Sequence, residues 1–431
     1  MAVIEQILAG LQSGREAFTQ IRGEIGNPAA QDEASCGSEL ALGDNTEYMK
    51  YLLSSGYAGR FSLIYIDPPF FTRSKFNATV VVKDRDGASH RVRHLAFDDR
   101  FERSLECYIE NIAVRVLLMK ELLADDGLMW IHLDWHSSHY VKLVLDELMG
   151  EKNFVNEIIW CYKSGGSGKR HFSRKHDTIL VYSKTKQYYI DIPQEKSYNR
   201  GFKPYNFKGV REFRDERGWY TLVNMKDIWN VDMVGRTSAE RTGYATQKPI
   251  ELMKRIIQAG SVEGDLVGDF FCGSGSLLEA AEITGRRWVG CDNEKLAVSM
   301  ARKRLDRRGA QYECRYMESV DAGPGRLDIE VRSTEPLENG RRLIRCAVRE
   351  FVPEIDTGYI QVNDRQYIEQ AVKDDPVQLI DYIMADDDFA GEFHRKINIE
   401  GDFSDITFIA GEQAVLAAVD VFGREYYSDI L

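Results

Sequence analysis

Twice along this chain, short apolar runs of strand length alternate with stretches whose apolar residues recur at helical spacing, and no other feature limits the fold as much. In the first block, residues 40–44 read as a strand and turn, 45–55 as a helix, and 61–66 as a buried strand ending at Asp67. A helix over 104–124, stopped by Asp126-Gly127, then leads to a strand over 128–133 and a helix through Leu143 and Met149. In the second block, helices over 249–259, 276–284 and 294–307 alternate with strands over 266–270 and 288–291. Parallel neighbours need a long crossover between them, so strand–helix alternation points to a mainly parallel sheet covered by helices on both faces. Between the blocks, 158–160 and 178–182 add two further strand-like runs, separated by Gly165-Gly166-Ser167-Gly168 and a basic stretch. The reading is an α/β fold with a seven-stranded sheet, built from residues of about 36–184 and 242–315.

What lies outside that sheet divides into three parts. In residues 1–35, Ile4, Ile7, Leu8 and Leu11, then Phe18, Ile21 and Ile25, predict one or two amphipathic helices that end at Asn27-Pro28. Residues 185–241 are polar, rich in aromatics and without a sustained period, as expected of an insert. Residues 316–431 carry short alternating runs, such as 327–331 and 343–348, which predict a mainly β domain with a helix near 377–384. At 431 residues the chain exceeds the roughly 250–300 at which single cores stop growing, which agrees with more than one domain.

Composition removes several function classes. Apolar residues at 43% and charged residues at 29% fit a globular protein rather than a disordered one. No window approaches about 18 consecutive apolar residues, and residues 1–15 lack a basic segment followed by an apolar one, so no membrane span or secretory signal is expected and the location is cytoplasmic. The seven cysteines never fall as C-x-x-C, which argues against a disulfide framework and a zinc ribbon. Charge is segregated within the net −12: residues 161–220 hold 14 Lys and Arg against 6 Asp and Glu, whereas residues 321–431 hold 11 against 24.

The run Leu63-Ile64-Tyr65-Ile66-Asp67-Pro68-Pro69-Phe70 takes a buried strand directly into a carboxylate, two prolines and an aromatic ring. Prolines fix φ and lack N–H groups, so Asp67 and the carbonyl of Pro68 can stand as two rigid acceptors. An exocyclic amino group offers two N–H donors, and Phe70 offers a face on which a base can stack. Such acceptors draw the amino nitrogen toward tetrahedral geometry and free its lone pair for attack on a methyl carbon. A second motif, Val267-Gly268-Asp269-Phe270-Phe271-Cys272-Gly273-Ser274-Gly275, joins a buried strand to a helix through glycines that let a ligand approach the backbone. Asp292 ends the next strand, where it can accept hydrogen bonds from a ribose. A nicotinamide cofactor is disfavoured because Leu278 stands where the third glycine of G-x-G-x-x-G belongs.

Taken in this order, the motifs resemble the amino-methyltransferases of DNA in their circularly permuted, β-group arrangement (the DNA methylase N-4/N-6 family). Further matches are Gly43-Asp44-Asn45, and Thr246-Gln247-Lys248-Pro249 opening a helix. The resemblance covers residues of about 38–310 and implies a Rossmann-like class I fold with S-adenosyl-L-methionine as cofactor. It implies catalytic roles for Asp67, Pro68, Pro69 and Phe70. Cofactor contacts are implied for Asp44 at the adenine, for Lys248 with its neighbours Thr246 and Pro249 at the methionine end, for Asp269 near the amino group, and for Asn45, Phe271, Cys272, Gly273, Ser274, Gly275 and Asp292. Within the family D-P-P favours N6 of adenine and S-P-P favours N4 of cytosine. The reading is therefore site-specific adenine methylation of double-stranded DNA, with N4-cytosine as the nearest alternative. Methylation of RNA or of a protein amide, and a silent DNA-binding module, remain more distant ones. A homodimer, a cognate restriction endonuclease and association with the nucleoid are implied partners.

A duplex hides its bases from Asp67, so the target must be flipped out. Lys169, Arg170, His171, Arg174 and Lys175, with Arg200 and Lys203 further on, are read as contacts to the DNA, because cations interleaved with aromatics suit phosphates and a distorted strand. His132, His136 and His139 do not make a metal site on this reading. The first falls on a strand and the others beyond its end, and methyl transfer needs no metal.

Overall fold

The computed structural model describes residues 2–25, 37–84, 87–99, 104–163, 169–235, 237–317, 325–337, 340–391, 393–395 and 397–430. Among the described residues the N-terminal segment forms one helix, Val3–Glu24, which lies along the helix Leu105–Leu122. The two approach so closely at Gly10 that a Cβ there would sit 2.3 Å from the carbonyl oxygen of Glu106. The stop expected at Asn27-Pro28 lies outside the described residues.

The central sheet is mainly parallel, as expected, but has nine strands among the described residues. Their order is Ile228–Asn230, Phe154–Cys161, His176–Ser183, Leu123–Leu133, Phe61–Ile66, Leu266–Asp269, Arg287–Asp292, Glu39–Leu42 and Glu313–Tyr316. Only His176–Ser183 runs antiparallel to its neighbours. The two unexpected strands sit at the edges and have three and four residues, too short to display a period of their own. They are strands because Phe154–Cys161 and Glu39–Leu42 offer them backbone partners. The helix Leu105–Leu122 also stops earlier than Asp126-Gly127, which instead falls inside the following strand.

Phe61–Ile66 and Leu266–Asp269 are neighbours at the middle of the sheet, with Leu63 opposite Val267 and Tyr65 opposite Asp269. From the first the chain continues to the strand on one side, and from the second to the strand on the other. A parallel sheet opens a crevice at such a reversal, beyond the carboxyl ends of the strands. The loops that begin at Asp67 and Phe270 both emerge there.

Residues 185–241 hold a three-stranded antiparallel sheet, Gln194–Tyr198, Gly218–Asn224 and Glu212–Asp215, before their last strand, Ile228–Asn230, joins the central sheet. Between the first motif and the helix Leu105–Leu122 stands a long hairpin, Lys75–Lys83 with Ser89–Asp98, which is not among the strands expected above although Ala78, Val80 and Val82 alternate. Its apolar face, Ala78, Val80, Val82, Val92 and Ala96, is buried in one core with Leu327, Ile344 and Phe351 of the C-terminal region.

That region is mainly β, with a three-stranded and a four-stranded sheet. The helix expected near 377–384 is not there. Ile380–Asp386 is an almost wholly buried central strand, and the helix is Val362–Asp374. A short continuous apolar run fits a buried strand and a buried helix equally well, whereas Val362–Asp374 buries only Ile368 and Ala371 and so looks polar throughout. No helix among the described residues is long and apolar enough to cross a membrane.

Candidate active site

Asp67, Pro68, Pro69 and Phe70 leave the carboxyl end of Phe61–Ile66 and line a cleft of about 400 Å³. Thr246, Lys248, Asp269, Phe271, Cys272, Gly273, Ser274 and Asp292 line the same cleft. A smaller cavity of about 120 Å³ adjoins it and contains Asp44 and Asn45; Pro69, Phe271, Asp292 and Asn293 border both spaces. Two expected contacts line neither. Pro249 immediately precedes the helix Ile250–Gly260. Gly275, at φ 74°, lets the helix Ser276–Ile283 pack against the neighbouring helix, where a Cβ would sit 2.9 Å from that of Ala301.

The loop after Asp67 is held under strain. Phe71 and Arg73 have φ of 60° and 59°, a conformation costing about 1–3 kcal/mol for such residues. Asp99 offsets this by accepting the N–H groups of Phe71 at 3.2 Å and Thr72 at 2.8 Å. The Tyr108 hydroxyl donates to the carbonyl of Pro69 at 2.9 Å, not to that of Pro68. Asp67 itself forms an ion pair with Lys248 through Oδ2, while its Oδ1 is buried with no hydrogen-bond partner among the described residues.

Phe70 stacks on His132, with ring centres 6.0 Å apart at 21°. His132 is fixed in turn by the hydroxyl of Tyr65 at Nδ1 (2.9 Å) and by Asp177 at Nε2 (3.2 Å), and Asp177 accepts a further bond from Tyr162 at 3.0 Å. His132 is thus a support beneath Phe70. His136 pairs instead with Asp134 and His139 is exposed, so the three histidines do not converge, and no metal-ligand cluster exists among the described residues.

Opposite Asp67, Asp292 accepts the N–H groups of Gly273 at 2.8 Å and Glu294 at 3.0 Å, and burial pushes its carboxyl up. Burial likewise holds Asp269 well above the carboxylate range, although it accepts the N–H of Phe271. Asp44 caps the helix Asn45–Ser54 through Thr46 and Glu47 and pairs with Arg115 at 3.2 Å. Asn45 is tied to the carbonyl of Phe270 at 2.7 Å and to Arg115 at 2.6 Å. Sequence reasoning misses Arg115, Asp99, Asp177 and Glu294, because each reaches the site from a helix, a hairpin or a distant strand and carries no local motif.

A family model described as DNA methylase matches residues 61–303. The chain belongs to that family. Type II methyltransferase M.EcaI of Enterobacter cloacae is 30% identical over 323 residues, 61% of this chain and 68% of that protein. Type II methyltransferase M2.DpnII of Streptococcus pneumoniae is 29% identical over 250 residues, 57% of this chain and 82% of that protein. Among solved structures, the PvuII DNA methyltransferase (cytosine-N4-specific) is similar at 16% identity with a TM-score of 0.43, over 65% of this chain and 90% of that one.

DNA methylases of this family use S-adenosylmethionine as methyl donor. The cleft of this methylase fits such a cation: the carboxyl groups of Asp292 and Glu294 line it beside the Asp67–Lys248 pair, and a Cβ at Gly273 would press to 3.3 Å from the Tyr244 ring. Glu294 is pushed up to about 7 by burial and then by Asp292. It is therefore expected to ionise as pH rises through 7 and to strengthen cation binding over that interval. Cofactor affinity measured by titration calorimetry at several pH values should increase through this interval in the wild type and flatten in Glu294→Gln. A slope unchanged in the variant would remove Glu294 as its source.

In the methylase, Lys169, Arg170, His171 and Arg174 are exposed, Lys175 is half-buried, and none lines the cleft. Arg174 lies over the Trp135 ring at 3.7 Å, beside the cleft residue Asp134. Arg200 and Lys203 are exposed on the insert. The glycine run at 165–168 lies outside the described residues.

Proposed function

We propose that the protein is a site-specific DNA methyltransferase acting on N6 of a flipped-out adenine in double-stranded DNA. The observation that carries this reading is the buried, partnerless Oδ1 of Asp67, held at the cleft beside the stacking face of Phe70. A buried acceptor without a donor is costly, on the order of 1–3 kcal/mol, and an amino N–H satisfies it. The carbonyl of Pro68 serves as the second acceptor, Phe70 on its His132 support stacks the base, and the two hydrogen bonds localise the amino lone pair. Bound S-adenosylmethionine supplies an electrophilic methyl carbon. Asp292 and Glu294 would hold its ribose, Asp269 its amino end, and Asp44 its adenine in the smaller cavity.

The exposed cations at 169–175, with Arg200 and Lys203, are the DNA-facing groups in this reading, as phosphate contacts. A cytoplasmic, nucleoid-associated homodimer with a cognate restriction endonuclease completes the proposal. The last element is supported by the name of one relative, the type III restriction-modification enzyme EcoP15I Mod subunit of Escherichia coli, 29% identical over 163 residues. Sedimentation equilibrium tests the dimer.

Incubation of the protein with radiolabelled S-adenosylmethionine and DNA, RNA or protein, followed by digestion of the DNA to nucleosides, tests the activity. Label in N6-methyladenine is the expected result. Label in N4-methylcytosine would replace adenine by cytosine, and label confined to RNA or protein would overturn the reading.

A further inference from the structure

The geometry points to Lys248 as a positioning residue that holds Oδ2 of Asp67 and so keeps the carboxylate turned with Oδ1 offered to the target amino group. This rests on the reading of Asp67 as the group that receives that amino group. The resemblance places Lys248 at the methionine end of the cofactor, but its ammonium is instead paired with Oδ2 of Asp67 and stands 5.8 Å from the centre of the Phe70 ring.

Three observations support the assignment. The pair is sheltered, with side-chain exposures of 9% for Lys248 and 16% for Asp67, so water screens it little. The two oxygens of Asp67 are divided: Oδ2 is taken by Lys248 and Oδ1 is buried without a partner. Lys248 is also the sole cation among the described residues that line the cleft. Asp269, Asp292, Glu294, Asp177, Asp134 and Asp99 line the same cleft. The remaining titratable neighbours are the phenols of Tyr65, Tyr162 and Tyr244 and the thiol of Cys272.

Without the ammonium on Oδ2, the Asp67 carboxylate is free to turn about its Cβ–Cγ bond, and neither oxygen is held toward the base. Lys248 is itself steadied from its own segment. The carbonyl of Thr246 accepts from its ammonium at 3.3 Å, and the Gln247 amide is pinned to the carbonyl of Glu240 at 2.6 Å.

The test uses the full chain with Lys248→Met, Lys248→Gln and Lys248→Arg, with single-turnover methylation of DNA at saturating cofactor and cofactor affinity measured separately. In the Met variant the rate at saturating cofactor should fall by about tenfold or more. Cofactor affinity should stay within about threefold of wild type, since the ammonium is bound to Asp67 rather than to the cofactor. The Gln variant, which keeps a donor but no charge, should lose rate in the same sense if the Met variant fails to fold, and the Arg variant, which can still hold Oδ2, should return the rate toward wild type. A Met or Gln rate at saturating cofactor within about twofold of wild type overturns the proposal, as does a loss confined to cofactor affinity and cured by saturating cofactor. Wild-type protein that methylates no DNA would instead overturn the functional reading itself, so the two failures are told apart.

Discussion

Asp67→Ala is expected to lower the methyl-transfer rate by about a thousandfold, an effect of about 4 kcal/mol on the barrier. The fold and cofactor binding should survive. The substitution removes the acceptor whose Oδ1 waits unpartnered in the cleft, whereas Asp269 and Asp292, the carboxylates nearest the cofactor loop, keep their bonds to Phe271, Gly273 and Glu294. Asp67→Asn should be nearly as damaging. Its one oxygen is drawn to Lys248, as Oδ2 is now, so the amide NH₂ takes the place of Oδ1 and presents a donor to a donor. Single-turnover rates, with thermal unfolding and cofactor titration as controls, check this. A rate above about a tenth of wild type in either variant would remove Asp67 from the chemistry.

Arg302→Met is expected to destabilise the fold by about 3–5 kcal/mol, the usual cost of leaving one member of a buried ion pair alone. Arg302 and Glu425 have side-chain exposures of 2% and 4%, and the Tyr316 hydroxyl bridges them, accepting from Arg302 and reaching both oxygens of Glu425. The three belong to the helix Lys295–Asp306, the sheet edge Glu313–Tyr316 and the C-terminal strand Glu425–Asp429, so the triad fastens the acidic C-terminal region onto the cofactor half of the fold. Chemical denaturation measures the loss, and a double variant Arg302→Met, Glu425→Leu should recover a large part of it because no buried charge is left unpaired. A single variant as stable as wild type would show that the triad does not fasten the two regions. The shared core with the hairpin leads to a related expectation. Cutting the chain after about Arg315 should give an insoluble product, because Val80, Val82 and Val92 lose the apolar surface that covers them.

The acidic C-terminal region therefore has a role that its charge does not announce. An excess of Asp and Glu reads as a surface turned away from phosphate, yet several of these acids are inward anchors. Asp381 binds Lys303 at 2.7 Å, and Glu425 binds Arg302. Charge counted along a sequence does not say which carboxylates meet a partner.

Legibility followed the range of the interactions. The strands of the sheet centre and both motif loops stand in the sequence because burial on two faces demands continuous apolar runs, and because prolines and glycines mark where the backbone must stop or bend. The edge strands Ile228–Asn230 and Glu313–Tyr316 and the exchange of helix for strand at Ile380–Asp386 do not stand there. Each is defined by the segments packed against it, which lie elsewhere in the chain, and a short segment carries too few residues to declare its state alone.

The same division runs through the site. The sequence by itself determined that Asp67-Pro68-Pro69-Phe70 and the Phe271–Gly275 loop leave the ends of buried strands, since those residues dictate their own backbone. Only the tertiary structure decided that the two strands are neighbours, that Lys248 meets Asp67 rather than a distant part of the cleft, and that His132, Asp99 and Arg115 brace the loops. A hydrogen bond or ion pair between segments depends on where two chain directions converge, and that is a property of the assembled sheet.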